Sequence, residues 1–567
     1  MKLFKQLLVA PAALGLLAPV AAGATEVNVA SVSDYASVSD GAASAEQVTS
    51  ITQFSDVYPT DWAYQALSNL IERYGCVAGY PNGTYRGNRA MTRFEAAALL
   101  NACLDRVTEV TDELKRLMKE FEKELAIVKG RVDGLEARVG ELEATQFSTT
   151  TKLKGQTTFV VGANSYGGNA KLSGSDIEEA DVAARLSGAT TFNYDMRLFL
   201  DTSFTGKDLL RTMLRAGNFG SSAFGGNSRY SALSTLETAY EEPTGADKVA
   251  VNRLWYQFPI GSNFTATVGG VVRQDDMLAV WPSAYPSDTV LDFFTYAGAP
   301  QTYNLQLGAG AGLWWSDNDF SVSVNYVSGN GGVGSPNVIG SDNAFTRVTD
   351  DCGGIATDCS SSSGTVQIAY APDNWGIAAA YNYASGNNGA GVYGGNATEL
   401  SVFFSGLGTT NSLGLSAWWT PENAGWIPSI STGWGYNSVD LKNANVGVLG
   451  LDGSIKSATS QSWYVGLQWA DVFLKGNAAG MAVGQPTFVT SWDNDSSLND
   501  GSDFVADGNF AWEWWYMFQV TDNISVTPAV FYLSRPLGFN TNGFAGSGDR
   551  DGTFNNFGGL VKTTFRF

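Results

Sequence analysis

Alternation of side-chain character over the end of the chain restricts its fold more than any other feature. The last seven residues are, in order, Val561, Lys562, Thr563, Thr564, Phe565, Arg566 and Phe567. In an extended strand, successive side chains point to opposite faces of the sheet. One face of this segment is apolar or neutral and the other is polar, which is typical of a strand with lipid on one side and water on the other.

The same alternation recurs through residues 151–567, between turns rich in Gly, Asn, Asp and Ser. Clear examples are the segments 320–326, 430–437, 463–469 and 512–518. Tyr464 interrupts the polar side of one of them. Many apolar sides end in aromatic residues, as expected for girdles at the two membrane interfaces. We therefore expect an all-β transmembrane barrel of about 16 antiparallel strands, wide enough for an aqueous lumen.

Two classes of connection separate these segments. The tight turns are 261–263, 316–318, 372–374 and 521–523, and the long, acidic loops are 328–362, 383–397, 438–458, 485–505 and 534–554. Short turns at one rim and long loops at the other are typical of bacterial porins. The alternative is a soluble β-sandwich, propeller or adhesin, which would bury both faces of its strands.

Residues 1–24 predict an export signal. Lys2 and Lys5 precede an almost wholly apolar stretch, and a small-residue cleavage site, Ala-Gly-Ala, follows it. No later window reaches the length of about 20 apolar residues that a transmembrane helix needs. Residues 25–51, rich in Ala, Ser, Val and Asp, are expected to form a linker.

Charge and composition exclude several classes of function. The formal net charge is −21, with 14 Lys and Arg against 19 Asp and Glu in residues 1–150, and 20 against 36 in residues 151–567. An acidic surface argues against a nucleic-acid partner, because phosphate contacts need a basic patch. The sequence has no His, which excludes Ser-His-Asp and Cys-His catalysis and removes the commonest zinc ligand. We therefore expect no enzyme activity and no cofactor.

Residues 52–103 are the first ordered unit that the sequence predicts. Its motifs are Phe54-x-Asp56-Val57 followed by Trp62, the turn Gly79-Tyr80-Pro81-x-Gly83-x-Tyr85, and Met91-Thr92-Arg93-Phe94-Glu95. This unit resembles the S-layer homology (SLH) domain. The resemblance implies binding to peptidoglycan or to a polysaccharide linked to it.

Three residues of this unit are candidates for glycan contact by their position in the motif: Asp56, Trp62 and Arg93. An indole face covers a sugar ring, and a guanidinium group bridges acidic groups. The alternative is that Trp62 belongs to the core and that Thr92 and Glu95 only cap a helix.

The four cysteines form two pairs by position. Cys76 and Cys103 lie at opposite ends of the SLH-like unit, and Cys352 and Cys359 close a short loop. Because an exported protein meets an oxidising compartment, we expect the disulfides Cys76–Cys103 and Cys352–Cys359. Metal ligation is the alternative, but neither pair has CxxC spacing or a His partner.

Residues 104–146 predict a coiled coil. Apolar residues recur at spacings of three and four, with Glu, Lys and Arg between them. The seam is Val107, Val110, Leu114, Leu117, Phe121, Leu125, Val128, Val132, Leu135, Val139 and Leu142. Each of three glycines within it destabilises a helix by roughly 1 kcal/mol relative to Ala, so the helix needs a partner. An amphipathic helix folded against the rest of the protein is the alternative.

The order of signal, SLH-like unit, coiled coil and barrel resembles the cyanobacterial SLH-domain porins, whose barrel belongs to the OprB-like carbohydrate-selective family. The chain ending also resembles the signal by which outer-membrane barrels are recognised. The resemblance implies a homotrimeric channel in outer-membrane lipid, with the SLH domain and coiled coil in the periplasm. Small hydrophilic solutes are the implied cargo, and sugars, inorganic ions and iron all remain open. The alternative is a non-channel structural protein, S-layer-like or an adhesin, between outer membrane and cell wall.

Residues 272–300 are the candidate for the narrowest part of this channel. They are too numerous and too apolar for a simple exposed loop, and the selectivity of a pore resides at its constriction. The expected acidic edge consists of Asp275, Asp276, Asp288 and Asp292, facing Arg197, Arg211, Arg215, Arg253 or Arg273 on the wall. For each carboxylate the alternative is a solvated position at the mouth. The acidic excess of residues 151–567 predicts a preference for cations.

The acidic stretch 493–503 is a weaker candidate, for Ca²⁺ held through oxygen ligands. It departs from the EF-hand spacing because its sixth position is Leu498 rather than Gly. An acidic loop without a ligand is the alternative.

Overall fold

A computed structural model describes the protein. The described residues are 50–61, 64–65, 67–68, 71, 150–172, 175–336, 352–386, 389–423, 425–441, 455–494, 502–542 and 552–567. The chain divides into two compact units, residues 1–144 and 145–567. No helix in these described ranges is both long and apolar enough to cross a membrane.

The described part of the first unit contains a small apolar cluster. A 3-10 helix, Ile51–Gln53, follows Ser50, whose hydroxyl accepts a hydrogen bond from the Thr52 amide at 3.4 Å. Ile51, Phe54, Leu67 and Ile71 are buried and pack together. Apolar residues at the start of the SLH-like unit therefore pack as a core with Leu67 and Ile71.

Several predictions fall on parts of the chain outside the described residues. They are the export signal 1–24, most of the linker 25–51, the coiled coil 104–146, the Cys76–Cys103 disulfide, and two of the glycan candidates, Trp62 and Arg93. The bounds of these segments stay predictions.

In the described part of the second unit, sixteen antiparallel strands form a closed barrel. The strands are β1 Thr151–Gly167, β2 Thr191–Thr202, β3 Leu209–Gly217, β4 Ala250–Ile260, β5 Phe264–Arg273, β6 Leu307–Asp317, β7 Phe320–Ser328, β8 Ser362–Tyr370, β9 Trp375–Ser385, β10 Thr409–Trp419, β11 Ser429–Asp440, β12 Ile455–Ala470, β13 Ala478–Asn494, β14 Phe510–Thr521, β15 Ile524–Ser534 and β16 Asn555–Arg566. Each strand pairs with its neighbours in sequence, and β1 pairs with β16 to close the wall. The predicted strand number and direction are confirmed.

The alternation of side chains produces two different faces of this wall. On β7, Phe320 and Val324 are half exposed on the outer surface, whereas the alternate residues Ser321, Ser323 and Asn325 are buried on the inner side. Because the outer residues are apolar and the inner ones polar, the outer surface suits lipid and the inner surface suits hydrogen bonding.

The connections differ in length at the two rims. The short connections are 203–208, 261–263, 318–319, 371–374, 420–428, 471–477 and 522–523, and the long ones are 168–190, 218–249, 274–306, 329–361, 386–408, 441–454, 495–509 and 535–554. All short connections lie at one rim, because every second connection of an up-and-down barrel returns to the same end. The predicted separation of short turns from long loops is confirmed.

Two helices in the long loops were not predicted: α1, Glu179–Ser187, and α2, Glu399–Leu407. The hydroxyl of Thr398 caps α2 by accepting a hydrogen bond from the Ser401 amide at 3.3 Å. Phe404 of α2 is buried in an apolar cluster with Trp492, so packing within the long-loop rim stabilises this short helix.

The prediction that residues 485–494 begin a long loop was wrong, because they are part of β13. The β12–β13 register shifts between Gln461 and Trp463, which pair with Phe488 and Gln485. Pro486 therefore falls at a β-bulge, where the regular backbone hydrogen bonding is already interrupted. The amide proton that proline lacks is not needed there.

Candidate constriction of the barrel

The connection between β5 and β6, residues 274–306, folds into the barrel and is called the inward loop. It begins with a 3-10 helix, Gln274–Met277, and contains a second one, Asp292–Thr295. Leu291 and Phe294 are fully buried in an apolar cluster that includes side chains of β1 and β12–β16. A connection that buries its side chains against so many strands lies inside the barrel.

Hydroxyl groups on the inner wall hold the backbone of the inward loop. Ser416 Oγ on β10 donates to the Ala297 carbonyl at 3.2 Å, and Ser462 Oγ on β12 donates to the Gly298 carbonyl at 2.8 Å. The polar inner faces of β10 and β12 therefore hold the backbone of the loop.

Inward-facing glycines allow the loop to approach the wall closely. A Cβ atom built on Gly433 of β11 would lie 1.8 Å from the carbonyl oxygen of Ala297. A Cβ atom on Gly466 of β12 would lie 2.6 Å from the ring of Tyr285. Since real side chains do not approach this closely, these two positions require glycine as long as the loop stays in place.

A buried carboxylate anchors the middle of the inward loop. Glu513 of β14 is fully buried and accepts hydrogen bonds from the Tyr285 hydroxyl and the Leu291 amide, both at 2.8 Å. The Trp515 indole donates to the same Tyr285 hydroxyl at 2.9 Å. On β12, the Tyr464 hydroxyl is 2.8 Å from Ser283 Oγ. Tyr464 interrupts the polar inner face because it contacts the loop.

The last strand contributes two cations to the loop. Lys562 Nζ donates to the carbonyl oxygens of Asp288 and, at 2.8 Å, Thr289. The Arg566 guanidinium forms an ion pair with the Asp288 carboxylate at 2.8 Å. The inward loop therefore reaches from β5 across the lumen to β16, which is the geometry of a constriction.

Two ion pairs fix the entry of the inward loop. Arg253 Nε lies 2.7 Å from the Asp276 carboxylate, and Arg273 Nε lies 2.5 Å from that of Asp275. Arg253 is nearly buried, whereas the Arg273 and Asp275 side chains stay 31% and 21% exposed. The second pair is therefore the one open to solute.

A ladder of paired charges covers the neighbouring wall. The buried Asp195 carboxylate binds Arg215 at 2.7 Å and Arg197 at 2.6 Å, and Arg197 also reaches Glu237 at 3.2 Å. Each cation in the ladder has a carboxylate partner at hydrogen-bond distance. The ladder thus presents both donors and acceptors with little net charge.

The ladder continues toward the rim of short turns. Asp201 accepts from Arg211 at 2.8 Å and from Lys154 at 3.2 Å. A cavity of about 450 Å³ opens beside it, lined by Lys154, Gly155, Gln156, Phe199, Asp201, Arg211, Asn523, Arg566 and Phe567. Lys154 and Arg566 are 59% and 47% exposed. Charged side chains therefore reach water on this side of the lumen, next to β1–β3 and β16.

The environments of two loop carboxylates move their pKa values in opposite directions. Burial raises the pKa of Asp292 to about 7, and the Glu237 carboxylate adds to this effect, although Asn396 donates a hydrogen bond to Asp292 at 2.9 Å. Partial burial also acts to raise the pKa of Asp288. Lys562, Arg566 and Arg197 outweigh it, so the pKa lies below its ordinary value.

The structure brings the predicted residues of the constriction together in part. Asp275, Asp276 and Asp288 of the loop face cations, as the sequence predicts, but only Arg253 and Arg273 of the five predicted arginines are their ion-pair partners. The other three arginines, Arg197, Arg211 and Arg215, pair with wall or loop carboxylates that were not predicted. Asp292 has an amide partner, Asn396. The role of these residues in selectivity stays a prediction.

Sequence reasoning missed several residues of this site: Asp195, Asp201, Glu237, Glu513, Lys562 and Arg566. Lys562 and Arg566 lie on the polar side of the alternating chain end, and Glu513 is the one charged residue among the aromatic residues of 510–518. The position of Lys562, Arg566 and Glu513 on the inner face could therefore be predicted from the sequence. Nothing in the sequence marks Glu237, which lies in another long loop.

The remaining predicted sites have separate outcomes. Cys352 and Cys359 form a disulfide, with their Cα atoms 5.6 Å apart. Asp56 is half-buried in the described part of the SLH-like unit. Residues 495–501 of the predicted Ca²⁺ loop lie outside the described residues, and the described ranges contain no cluster of three or more Cys, Asp or Glu side chains that would hold a metal ion.

Two family models match this sequence. The model of the carbohydrate-selective porin, OprB family, matches residues 109–567, and the model of the S-layer homology domain matches residues 53–97. Together these two matches cover residues 53–567 except for residues 98–108.

Relatives match over most of the chain as well. The uncharacterised protein alr4550 of Nostoc sp. is 34% identical over 552 residues, covering 92% of this chain and 86% of the relative. The uncharacterised protein sll0772 of Synechocystis sp. is 31% identical over 523 residues, covering 86% and 88%. The high-pH structure of Pseudomonas putida OprB has 11% identity and a TM-score of 0.43, and covers 76% of this chain and 96% of that chain.

Proposed function

The chain belongs to the OprB family of carbohydrate-selective porins and carries an SLH domain, so it is an outer-membrane porin, and we propose that it conducts small hydrophilic solutes passively. Members of this family are channels rather than enzymes. Sugars are the proposed principal cargo, because the family is described as carbohydrate-selective. Inorganic ions, including iron, are the second candidates.

The observation that carries this proposal is the inward loop held across the lumen by Glu513, Lys562 and Arg566. A loop fixed at both sides of a barrel leaves a passage narrower than the barrel itself. Size selection among small solutes follows from such a passage without any moving part.

The paired charges beside the passage favour polyhydroxylated solutes. A sugar hydroxyl group both donates and accepts hydrogen bonds. Exposed arginine–carboxylate pairs such as Arg273–Asp275 offer donors and acceptors side by side, so a sugar can exchange its water for them without a net change in charge.

The same pairing leads us to propose weak ion selectivity in place of the cation preference expected from the net charge. Wall cations such as Arg197 and Arg211 lie at 2.6 to 3.2 Å from carboxylates. Surface charge beyond about 8–10 Å is screened at physiological salt. The acidic excess of residues 151–567 therefore acts on ions less than the neutral pairs in the lumen do.

We further propose that the SLH domain, residues 52–103, attaches the porin to peptidoglycan from the periplasmic side. Asp56, Trp62 and Arg93 are its proposed glycan contacts. A coiled coil over residues 104–146 would join three chains, and three linked SLH domains bind a polymer more tightly than one does. The homotrimer is part of this proposal.

Swelling of liposomes that contain the purified protein tests the proposed cargo. Isotonic solutions of sugars of increasing size should give swelling rates that fall with size, with monosaccharides fastest. Liposomes that swell no faster in monosaccharide than protein-free liposomes do would contradict the proposal and favour a structural role between outer membrane and wall.

A further inference from the structure

Two of the short turns differ in chemistry from the rest of their rim. In residues 420–428, Trp426 is 97% and Ile427 62% exposed, and in residues 471–477, Phe473 is 90% and Leu474 68% exposed. The other described turns of this rim are polar, apart from one exposed phenylalanine, Phe204 in residues 203–208. Large apolar side chains exposed to water on a turn are unfavourable, so the exposure of these four side chains needs an explanation.

The turn 471–477 lies against the outer wall instead of projecting beyond it. The Tyr516 hydroxyl of β14 donates to the Val472 carbonyl at 2.8 Å, and the Gln519 amide donates to Asn477 Oδ1 at 3.0 Å. The β13–β14 pairing ends at Met517, while β14 continues to Thr521. The turn is thus level with the last residues of β14.

The outward residues at that level are aromatic. Phe518 is 46% exposed on the outer face of β14, and its ring centroid lies 4.5 Å from that of Tyr516. The Phe473 ring of the turn lies 6.0 Å from the same Tyr516 ring. Phe473 of the turn therefore continues the row of aromatic rings formed by Tyr516 and Phe518 on the outer face of β14.

The turn 420–428 is attached to the same region. The indole Nε1 of Trp469, near the end of β12, donates to the Trp426 carbonyl at 3.0 Å. Trp419, the last residue of β10, is 39% exposed on the outer face. The turn 420–428 thus adjoins outward-facing tryptophans, as the turn 471–477 adjoins the outward-facing Tyr516.

The backbone of the second turn is strained in a way that presents Phe473 outward. Phe473 has φ +63° and Asp471 has φ +56°, in the left-handed region that disfavours bulky side chains. The Asp471 carboxylate accepts from the Gly476 amide at 2.7 Å and so stabilises the turn. A strained backbone that exposes an aromatic ring is explained if the ring has an apolar surrounding.

We infer that residues 420–428 and 471–477 form an interfacial anchor whose apolar side chains enter the periplasmic leaflet of the outer membrane. Short turns of such barrels lie on the periplasmic side, and aromatic rings favour the boundary between headgroups and acyl chains. The occupant of this surface is phospholipid, because the surface is continuous with the lipid-facing girdle at Phe518 and Trp469. Lys475 of the same turn is exposed and supplies a cation for lipid phosphate groups. This inference rests on the outer-membrane location and is independent of the solute.

Site-directed fluorescence quenching in vesicles tests the anchor. The full chain is prepared with Phe473→Cys or Trp426→Cys, labelled with an environment-sensitive fluorophore, and reconstituted into phosphatidylcholine vesicles. Nitroxide on the acyl chain close to the headgroup quenches from the lipid side, and iodide quenches from water. Matched labels at Phe518→Cys and Asp522→Cys report the girdle and a polar turn, and unsubstituted protein gives the background.

We expect labels at residues 473 and 426 to resemble the label at residue 518, with several-fold stronger nitroxide quenching and weaker iodide quenching than at residue 522. Iodide quenching as strong as at residue 522 would overturn the anchor. Protection from both quenchers would also overturn it and would indicate that a second copy of the chain covers the turns. Folding of each variant is checked by its altered mobility in unheated gels.

Conductance of the same samples separates this inference from the proposed function. Lipid quenching without any conductance would contradict the channel and leave the anchor standing. Conductance together with strong iodide quenching at both turns would contradict the anchor and leave the channel standing.

Discussion

The hydroxyl group of Tyr285 donates to the Glu513 carboxylate at 2.8 Å and thereby joins the inward loop to strand β14. The same carboxylate accepts from the Leu291 amide. One fully buried side chain thus satisfies two donors of the loop, and its removal leaves both without a partner.

Replacement of this carboxylate should loosen the constriction. We expect Glu513→Ala to weaken loop attachment by about 1–3 kcal/mol for each donor left unsatisfied. Single-channel recordings should then show larger and noisier conductance steps. Glu513→Gln, which keeps one acceptor oxygen, should lie between Glu513→Ala and the unsubstituted protein, and Asp522→Ala in an exposed turn should have no effect.

Gly433→Ala offers an independent way to displace the same loop, because its Cβ atom would meet the Ala297 carbonyl oxygen. It should increase conductance in the same direction as Glu513→Ala. If both variants fold and conduct like the unsubstituted protein, the inward loop does not set the width of the channel.

Removal of one wall cation should create an ion preference. Arg197 pairs with Asp195 and Glu237 at its inner-wall position. Arg197→Ala removes one cation partner from each of these two carboxylates. We therefore expect the reversal potential in a KCl gradient to shift toward cation selectivity. Asp201→Ala, which frees Arg211 and Lys154, should shift it toward anions. Identical reversal potentials in both variants would mean that the ladder does not line the ion path.

Stability should fall as pH rises through the range set by Asp292. Its pKa is raised from 3.8 to about 7 in the folded protein. Between these values the unfolded chain releases the proton and the folded protein retains it, so folding loses up to about 1.4 kcal/mol per pH unit. The stabilising contribution is complete below about pH 4 and lost above about pH 7.

The unfolding temperature, followed by gel mobility between pH 4 and 8, measures this effect. Asp292→Asn should reduce this pH dependence, since its amide does not titrate, while it keeps an acceptor for Asn396. The remaining dependence comes from groups such as Asp507, whose pKa burial also raises to about 7. A variant with the same pH dependence as the unsubstituted protein would show that other groups cause it.

The wall attachment has its own test. Deletion of residues 52–103 should release the protein from isolated peptidoglycan in a sedimentation assay and leave conductance unchanged. Arg93→Ala should weaken binding, and Leu125→Asp with Val128→Asp should lower it through loss of the trimer. Sedimentation of the deletion variant with peptidoglycan would place the attachment elsewhere.

The barrel was predictable because alternation is a local property. Residues such as Phe320 and Ser321 show their faces in the sequence, and the turns between strands show their lengths. The inward loop was visible only as an unusually apolar connection. Its partners were not, since Asp288 meets Lys562 and Arg566 across nearly half the chain, and such contacts depend on the barrel closure. Tyr464, which interrupts the polar side of its strand, gave a signal whose meaning appears only once the loop is in place.

Conductance of the purified protein in planar lipid bilayers tests the central claim, a passive channel narrowed by the inward loop. We predict stepwise increases in current in KCl, a reversal potential close to zero in a KCl gradient, and larger steps for Glu513→Ala. Correctly folded protein that inserts into the bilayer without any stepwise current would contradict the account.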